Sequence, residues 1–172
     1  MKKEIFPITL ILILALFRLI PHPPNFTPII AVAILSGYFF KNLYFSFLVL
    51  IVSMIIADFF IGFYDNMFVV YLSLMLISFT FYRIGSKLNY KNLFLFSLFG
   101  SLIFFVITNF GVWALGNLYE KNLKGLIYCY IAAIPFFKNT LFSTIIFSYG
   151  AFLTNYFVNK KLTWLVILNR LG

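Results

Sequence analysis

Residues able to do chemistry are scarce in this chain and fall in four short stretches. RLIPHPPNFTP, at 18–28, places Arg18, the single histidine His22 and Asn25 among four prolines. ADFFIGFYDNM, at 57–67, carries Asp58 and Tyr64, and TNFGVWALGN, at 108–117, carries Asn109 and Trp113. YCYIAAIPFFKNT, at 128–140, holds the single cysteine Cys129 with Tyr130 and Asn139. Arg18 and Asp58 are opposite charges in apolar surroundings, where an ionised side chain is costly and calls for a partner. They read as an ion pair, either a structural lock or the floor of a pocket.

His22 and Cys129 invite metal or covalent chemistry, but one His and one Cys beside few carboxylates do not make a zinc site. Neither has a recognisable triad partner. No P-loop, dinucleotide fingerprint or HExxH motif is present. The expectation is therefore a protein with no catalytic residues, no metal and no cofactor. Work done on a solute would come from a partner or an ion gradient.

The prolines say more. Pro21, Pro23 and Pro24 lack an N–H and push the preceding residue out of helix, so the stretch must be extended and stiff. Thr27 before Pro28 reads as an N-cap with proline at the first helical position. A rigid turn explains this much. His22 and Asn25 add more chemistry than a turn requires, and a stiff strap loses little entropy when it holds a ligand. Asn109 can hydrogen-bond across helices, and Trp113 suits an interfacial belt. Asn139 and Thr140 read as the start of a last span, where orphan N–H groups await a partner.

The elements that must position these residues are membrane helices. Of 172 residues, 63% are hydrophobic and 10% charged, against about 25% charged in a soluble domain. The mean hydropathy is +1.04. Too few polar groups remain to clothe a water-facing surface. The net charge of +9 is dispersed, which excludes a nucleic-acid arm and fits a positive-inside bias. A lone cysteine allows no internal disulfide.

Apolar segments at 5–20, 26–40, 44–63, 67–84, 93–115 and 139–158 approach the ~20 residues needed to cross a bilayer. No cleavage site follows the first, which reads as an uncleaved span. GLIYCYIAAIPFF, at 125–137, is too short to span and reads as a re-entrant or interfacial segment on the outer face. Six spans put Lys2, Lys3, Lys41, Arg83, Lys87, Lys91, Lys160, Lys161 and Arg170 on one side and Arg18, Lys121, Lys124 and Lys138 on the other. Seven spans erase that asymmetry. The expected fold is all-α: a single membrane domain over 1–172, polytopic, with six transmembrane helices and both termini cytoplasmic. All four chemical stretches then share the outer half of the bilayer.

Together RLIPHPPNFTPIIAVAI, ADFFIGF, ITNFGVW and CYIAAIPFFKNTL resemble an uncharacterised bacterial family of transport-type membrane proteins. That family is grouped with the substrate-binding S components of energy-coupling factor (ECF) transporters. The resemblance covers roughly residues 10–150. It implies a six-helix bundle in the bacterial cytoplasmic (inner) membrane that binds a small micronutrient, vitamin-like or cobalamin-like, in an outward-facing pocket. It also implies contacts from His22, Asn25, Asp58, Tyr64, Tyr130 and Asn139, to which the residue reading adds Asn109 and Trp113. The implied partners are a transmembrane coupling subunit and ATPases. Many S components dock through Ala-xxx-Ala on the first helix. Here the first span has only Ala15, and the nearest small-xxx-small pattern is Ala33 to Gly37. Solitary members of the superfamily are similar in lacking the motif. The alternative is a membrane scaffold, which would need a polar partner surface on the cytoplasmic side that this chain largely lacks. An intramembrane enzyme would have to draw its catalytic set from Arg18, His22, Asp58 and Cys129.

Overall fold

A computed structural model describes the backbone of residues 2–171 and the side chains of residues 4–85 and 87–158. The side chains of Lys2, Lys3, Lys160, Lys161 and Arg170, used above to orient the chain, lie outside the described residues. Six α-helices make up the described chain: α1 (Lys2–Leu16), α2 (Ile29–Phe39), α3 (Leu43–Ile61), α4 (Met67–Ile84), α5 (Leu93–Leu115) and α6 (Leu123–Leu171). Short 3-10 turns, Phe17–Leu19 and Gly85–Lys87, follow α1 and α4.

Local chemistry sets the helix ends. The Asn42 side chain accepts from the Phe45 N–H and caps α3, and Asn122 does the same for Gly125 near the start of α6. At the far end of α3, Gly62 takes φ 105 and its N–H returns to the Asp58 carbonyl. Only glycine enters that region without strain. Thr27 does not cap α2. Pro28 itself occupies the cap position, no side chain bonds there, and its carbonyl accepts from Val32.

α2 is the centre of the molecule. Every residue from Ile30 to Gly37 is buried, and the helix touches α1, α3, α4, α5 and α6. A helix apolar all round is stable only when other elements surround it. Its 11 residues cover ~16 Å, about half the hydrocarbon thickness. At the foot of α2, Ser78 of α4 meets the hydroxyls of Ser36 of α2 and Ser46 of α3, each at 2.9 Å. Interhelical hydroxyl pairs of this kind satisfy groups that apolar surroundings would otherwise strand. Gly37 sits beside them, where a Cβ would strike the Ser78 carbonyl oxygen and lie 2.8 Å from the Tyr82 nitrogen.

Among the described residues, four helices are long and apolar enough to cross a membrane: α3, α4, α5 and the Leu123–Val158 part of α6. Their outer faces carry exposed large hydrophobics, among them Leu48, Phe59, Leu72, Phe79, Leu95 and Phe142. An exterior of that kind suits hydrocarbon. Side-chain contacts fix the helix directions. Arg18 after α1 meets Asp58 late in α3, Tyr82 late in α4 meets Lys41 before α3, and Tyr149 of α6 meets Tyr90 before α5. Gly37 late in α2 lies against Ser78 late in α4, and Gly111 late in α5 against Val69 early in α4, so the six helices alternate in direction.

The separate re-entrant segment is not found. Residues 125–137 belong to α6, which runs unbroken through Pro135. Tyr130 donates to the Val106 carbonyl, Cys129 to the Asn109 carbonyl, and the Phe105 and Phe137 rings lie 5.0 Å apart. The part of α6 that packs along α5 thus begins well before Asn139. Lys138 and Asn139 looked like a span boundary because they are polar. They sit inside the helix instead, Lys138 exposed and Asn139 bonded to the strap.

Candidate functional site

The site lies at the end of the bundle where the Pro-rich stretch joins α1 to α2. A turn closed by Phe26 N–H to the Pro23 carbonyl bends the strap. Asn25 next to it has φ 60, a left-handed conformation that asparagine tolerates better than most residues. Asn139 of α6 ties the strap down by donating to the Pro24 carbonyl at 2.9 Å. Phe26 packs against Phe147 of the same helix.

Beneath the strap, Arg18 and Asp58 form the expected ion pair, Nη2 to Oδ1 at 2.7 Å. Asp58 is wholly buried, and its second oxygen accepts from the Tyr71 hydroxyl at 2.6 Å. Tyr71 therefore donates to one oxygen, while the other is compensated by the guanidinium charge at ion-pair distance rather than by a well-formed hydrogen bond. Arg18 Nη1 also points at the Met54 sulfur, 3.8 Å away. Tyr64, in the loop after α3, stands close to the pair. Burial raises its phenol above the ordinary tyrosine range, the Asp58 charge adds to this, and Arg18 acts the other way.

Two adjoining cavities open here. One, about 200 Å³, is lined by Arg18, Asn25, Thr27, Tyr64 and Thr140 among others. The other, about 220 Å³, is walled by Phe104, Phe105, Phe136 and Phe137, with Thr108 and Asn109 as polar points. Asn25, Val70, Phe104 and Thr140 border both. The strap, α4, α5 and α6 all contribute to the walls.

The expected contact residues separate into two groups. Asn25, Tyr64 and Asn109 line the cavities, and Arg18 reaches them while Asp58 stays behind it. His22 lies exposed on the strap, bonded only to the Pro23 carbonyl, and borders neither cavity. Trp113 also falls outside the lining. Its indole donates to the Glu120 carbonyl, and Lys121 lies over its ring and bonds the Trp113 and Gly116 carbonyls, which closes the α5–α6 connection. Tyr130 is spent on the Val106 carbonyl and on the Phe105 ring. Asn139 acts as the latch on Pro24. Nor do Asn139 and Thr140 offer free helix N–H groups: they lie inside α6, and Thr140 donates back to the Phe136 carbonyl.

Sequence reading missed the aromatic walls. Phe104–Phe105 and Phe136–Phe137 are adjacent pairs, but 25 phenylalanines hide which ones converge. The small-xxx-small pair also has a different use from docking: Ala33 and Gly37 are buried inside the bundle, and so is Ala15.

Residues 1–165 match the model of a family of unknown function, DUF6580, and the chain belongs to that family. No curated protein and no solved structure matches it.

Proposed function

We propose that this DUF6580 protein is the solute-binding component of a micronutrient uptake system in a bacterial cytoplasmic membrane. The observation that carries this reading is the pair of adjoining cavities under a latched, proline-stiffened strap. Ligand sites are concave and mostly apolar, with a few placed polar groups. These cavities have that composition, with aromatic walls and one guanidinium. Alternating helix directions support six passes, and the positive-inside charge pattern supports cytoplasmic termini. The likeness of the strap and loop sequences to S components supports the same topology and an outward-facing site.

A binding role is favoured over catalysis by how the reactive groups are used. Arg18 and Asp58 satisfy each other, His22 faces away, and the Cys129 thiol is buried against the Asn109 carbonyl. Among the described residues, no set of acid, base and nucleophile meets at one point. With Ala15, Ala33 and Gly37 buried, the coupling subunit of an energy module would have to dock on another surface.

The test is to purify the protein in mild detergent from cells grown in rich medium and weigh it by native mass spectrometry. A stoichiometric small molecule retained by the protein is the expected result. A protein that carries nothing and binds nothing from a panel of vitamins and their precursors overturns the reading.

A further inference from the structure

The polar groups of the two cavities are not evenly mixed. Among the described residues, Arg18 is the only ionisable lining residue other than Tyr64, and no carboxylate lines either cavity. Asp58 takes one edge of the guanidinium from behind. A guanidinium has five N–H donors and no acceptor; Asp58, the Met54 sulfur and the Tyr64 side chain engage part of them, and the rest make the Arg18 side a hydrogen-bond-donating wall.

The other end has the opposite character. The Thr108 hydroxyl donates to the Phe104 carbonyl at 2.7 Å, and the Thr140 hydroxyl to the Phe136 carbonyl at 3.1 Å. The Asn109 amide donates to the Phe105 carbonyl at 2.8 Å. Both hydroxyl protons and one of the two Asn109 N–H groups are used within their own helices. Lone pairs on both hydroxyls and the Asn109 carbonyl oxygen remain for a ligand. This end therefore presents three acceptor oxygens against the one remaining Asn109 N–H. Phe104 borders both cavities, and Phe105, Phe136 and Phe137 wall the Thr108–Asn109 side, where their faces favour flat rings. A ligand that reaches from Arg18 to Asn109 spans both cavities, about 200 and 220 Å³, which together sit at the low end of the ~300–1,000 Å³ usual for drug-sized ligands, so the occupant is small.

We infer that the site takes a small flat aromatic or heteroaromatic compound with a carboxylate or ring-carbonyl oxygen at one edge and an N–H or O–H donor at the opposite edge. The oxygen lies against Arg18 and the donor against Thr108 and Asn109, with Thr140, which borders both cavities, between them. This rests on the solute-binding reading and narrows it: a corrin is too large, a cationic amine meets no carboxylate, and an aliphatic solute leaves the aromatic walls unused.

The experiment is calorimetric titration of the full chain in lipid nanodiscs with four probes, beside native mass spectrometry of the copurified ligand. 4-Aminobenzoate and uracil carry both edges and distinguish a carboxylate from a ring carbonyl. Benzoate lacks the donor, and aniline lacks the acceptor. At least one two-edged probe should bind about tenfold more tightly than either one-edged probe, the worth of one such hydrogen bond. The double variant R18Q/D58N keeps the buried site neutral and should abolish the preference over aniline while the protein stays folded. Equal binding of all four probes, or tightest binding of aniline, overturns the inference. So does a copurified ligand without the two-edged pattern, which would leave the solute-binding reading standing. Absence of both a copurified ligand and probe binding overturns the two together.

Discussion

Arg18 Nη2 lies 2.7 Å from Oδ1 of Asp58, and of the two residues only Arg18 reaches the cavity. The carboxylate is wholly buried behind it and held from the other side by Tyr71. Asp58 therefore positions and neutralises a donor that a ligand can use.

Removing one member of this pair strands the other. Asp58→Ala leaves a buried guanidinium uncompensated and should cost about 3–5 kcal/mol. R18Q/D58N should recover most of that loss, because no charge is left without a partner. Thermal unfolding in detergent measures both. Equal stability of D58A and the wild type would show that the pair does not hold the bundle together.

Gly37→Ala tests the packing of the central helix. The added Cβ would strike the Ser78 carbonyl, and backbone cannot swing aside as a side chain can. A loss of about 1–3 kcal/mol is expected from overpacking. Gly150→Ala is the matched control: nothing lies within 4 Å of its Cβ, so helix propensity should leave stability unchanged or slightly raised. Indistinguishable melting of the two variants would contradict the close approach of α2 to α4.

Asn139→Leu cuts the latch on Pro24. One neutral hydrogen bond is worth about 1 kcal/mol, so ligand release should quicken about fivefold. Hydrogen exchange at His22, Asn25, Phe26 and Thr27 should speed up while the α5–α6 contact region stays protected. Unchanged exchange in the strap would mean that the Asn139 bond does not restrain it.

His22→Ala and Tyr130→Phe separate the lining from its surroundings. Neither side chain borders either of the two cavities under the strap, so ligand affinity should stay within about twofold of the wild type. A large drop for H22A would return the histidine to the site.

Sidedness can be read by cysteine labelling in a Cys129→Ala background. Tyr90 and Leu118 are 65% and 82% exposed and sit at opposite ends of α5. Cysteines placed there should react with a membrane-impermeant maleimide from opposite faces of the bilayer. Labelling of both from one face would end the topology proposed here.

Much of the site was legible because charge and proline are conspicuous in an apolar chain. Arg18 and Asp58 could be paired from cost alone, since an isolated ion in hydrocarbon has no cheap alternative. The strap was readable in part, since proline dictates its own φ wherever it occurs, but the expected extended run is bent by a turn from Pro23 to Phe26. Asn139 was noticed for its polarity, but its polarity was misread as a helix end. A single interior amide can instead find a distant carbonyl, and sequence does not say which.

What the sequence determined by itself, then, was the medium and the sparse polar points: membrane helices, a stiff connection, and a buried ion pair. What only the tertiary structure decided was which apolar residues face one another. Lipid tails are as apolar as a protein core, so hydrophobicity cannot tell Phe59, exposed on the outside, from Phe104, which walls a cavity. The burial of α2 on every side and the continuity of α6 through Pro135 were hidden for the same reason. They follow from contacts among six helices, and no local pattern carries that information.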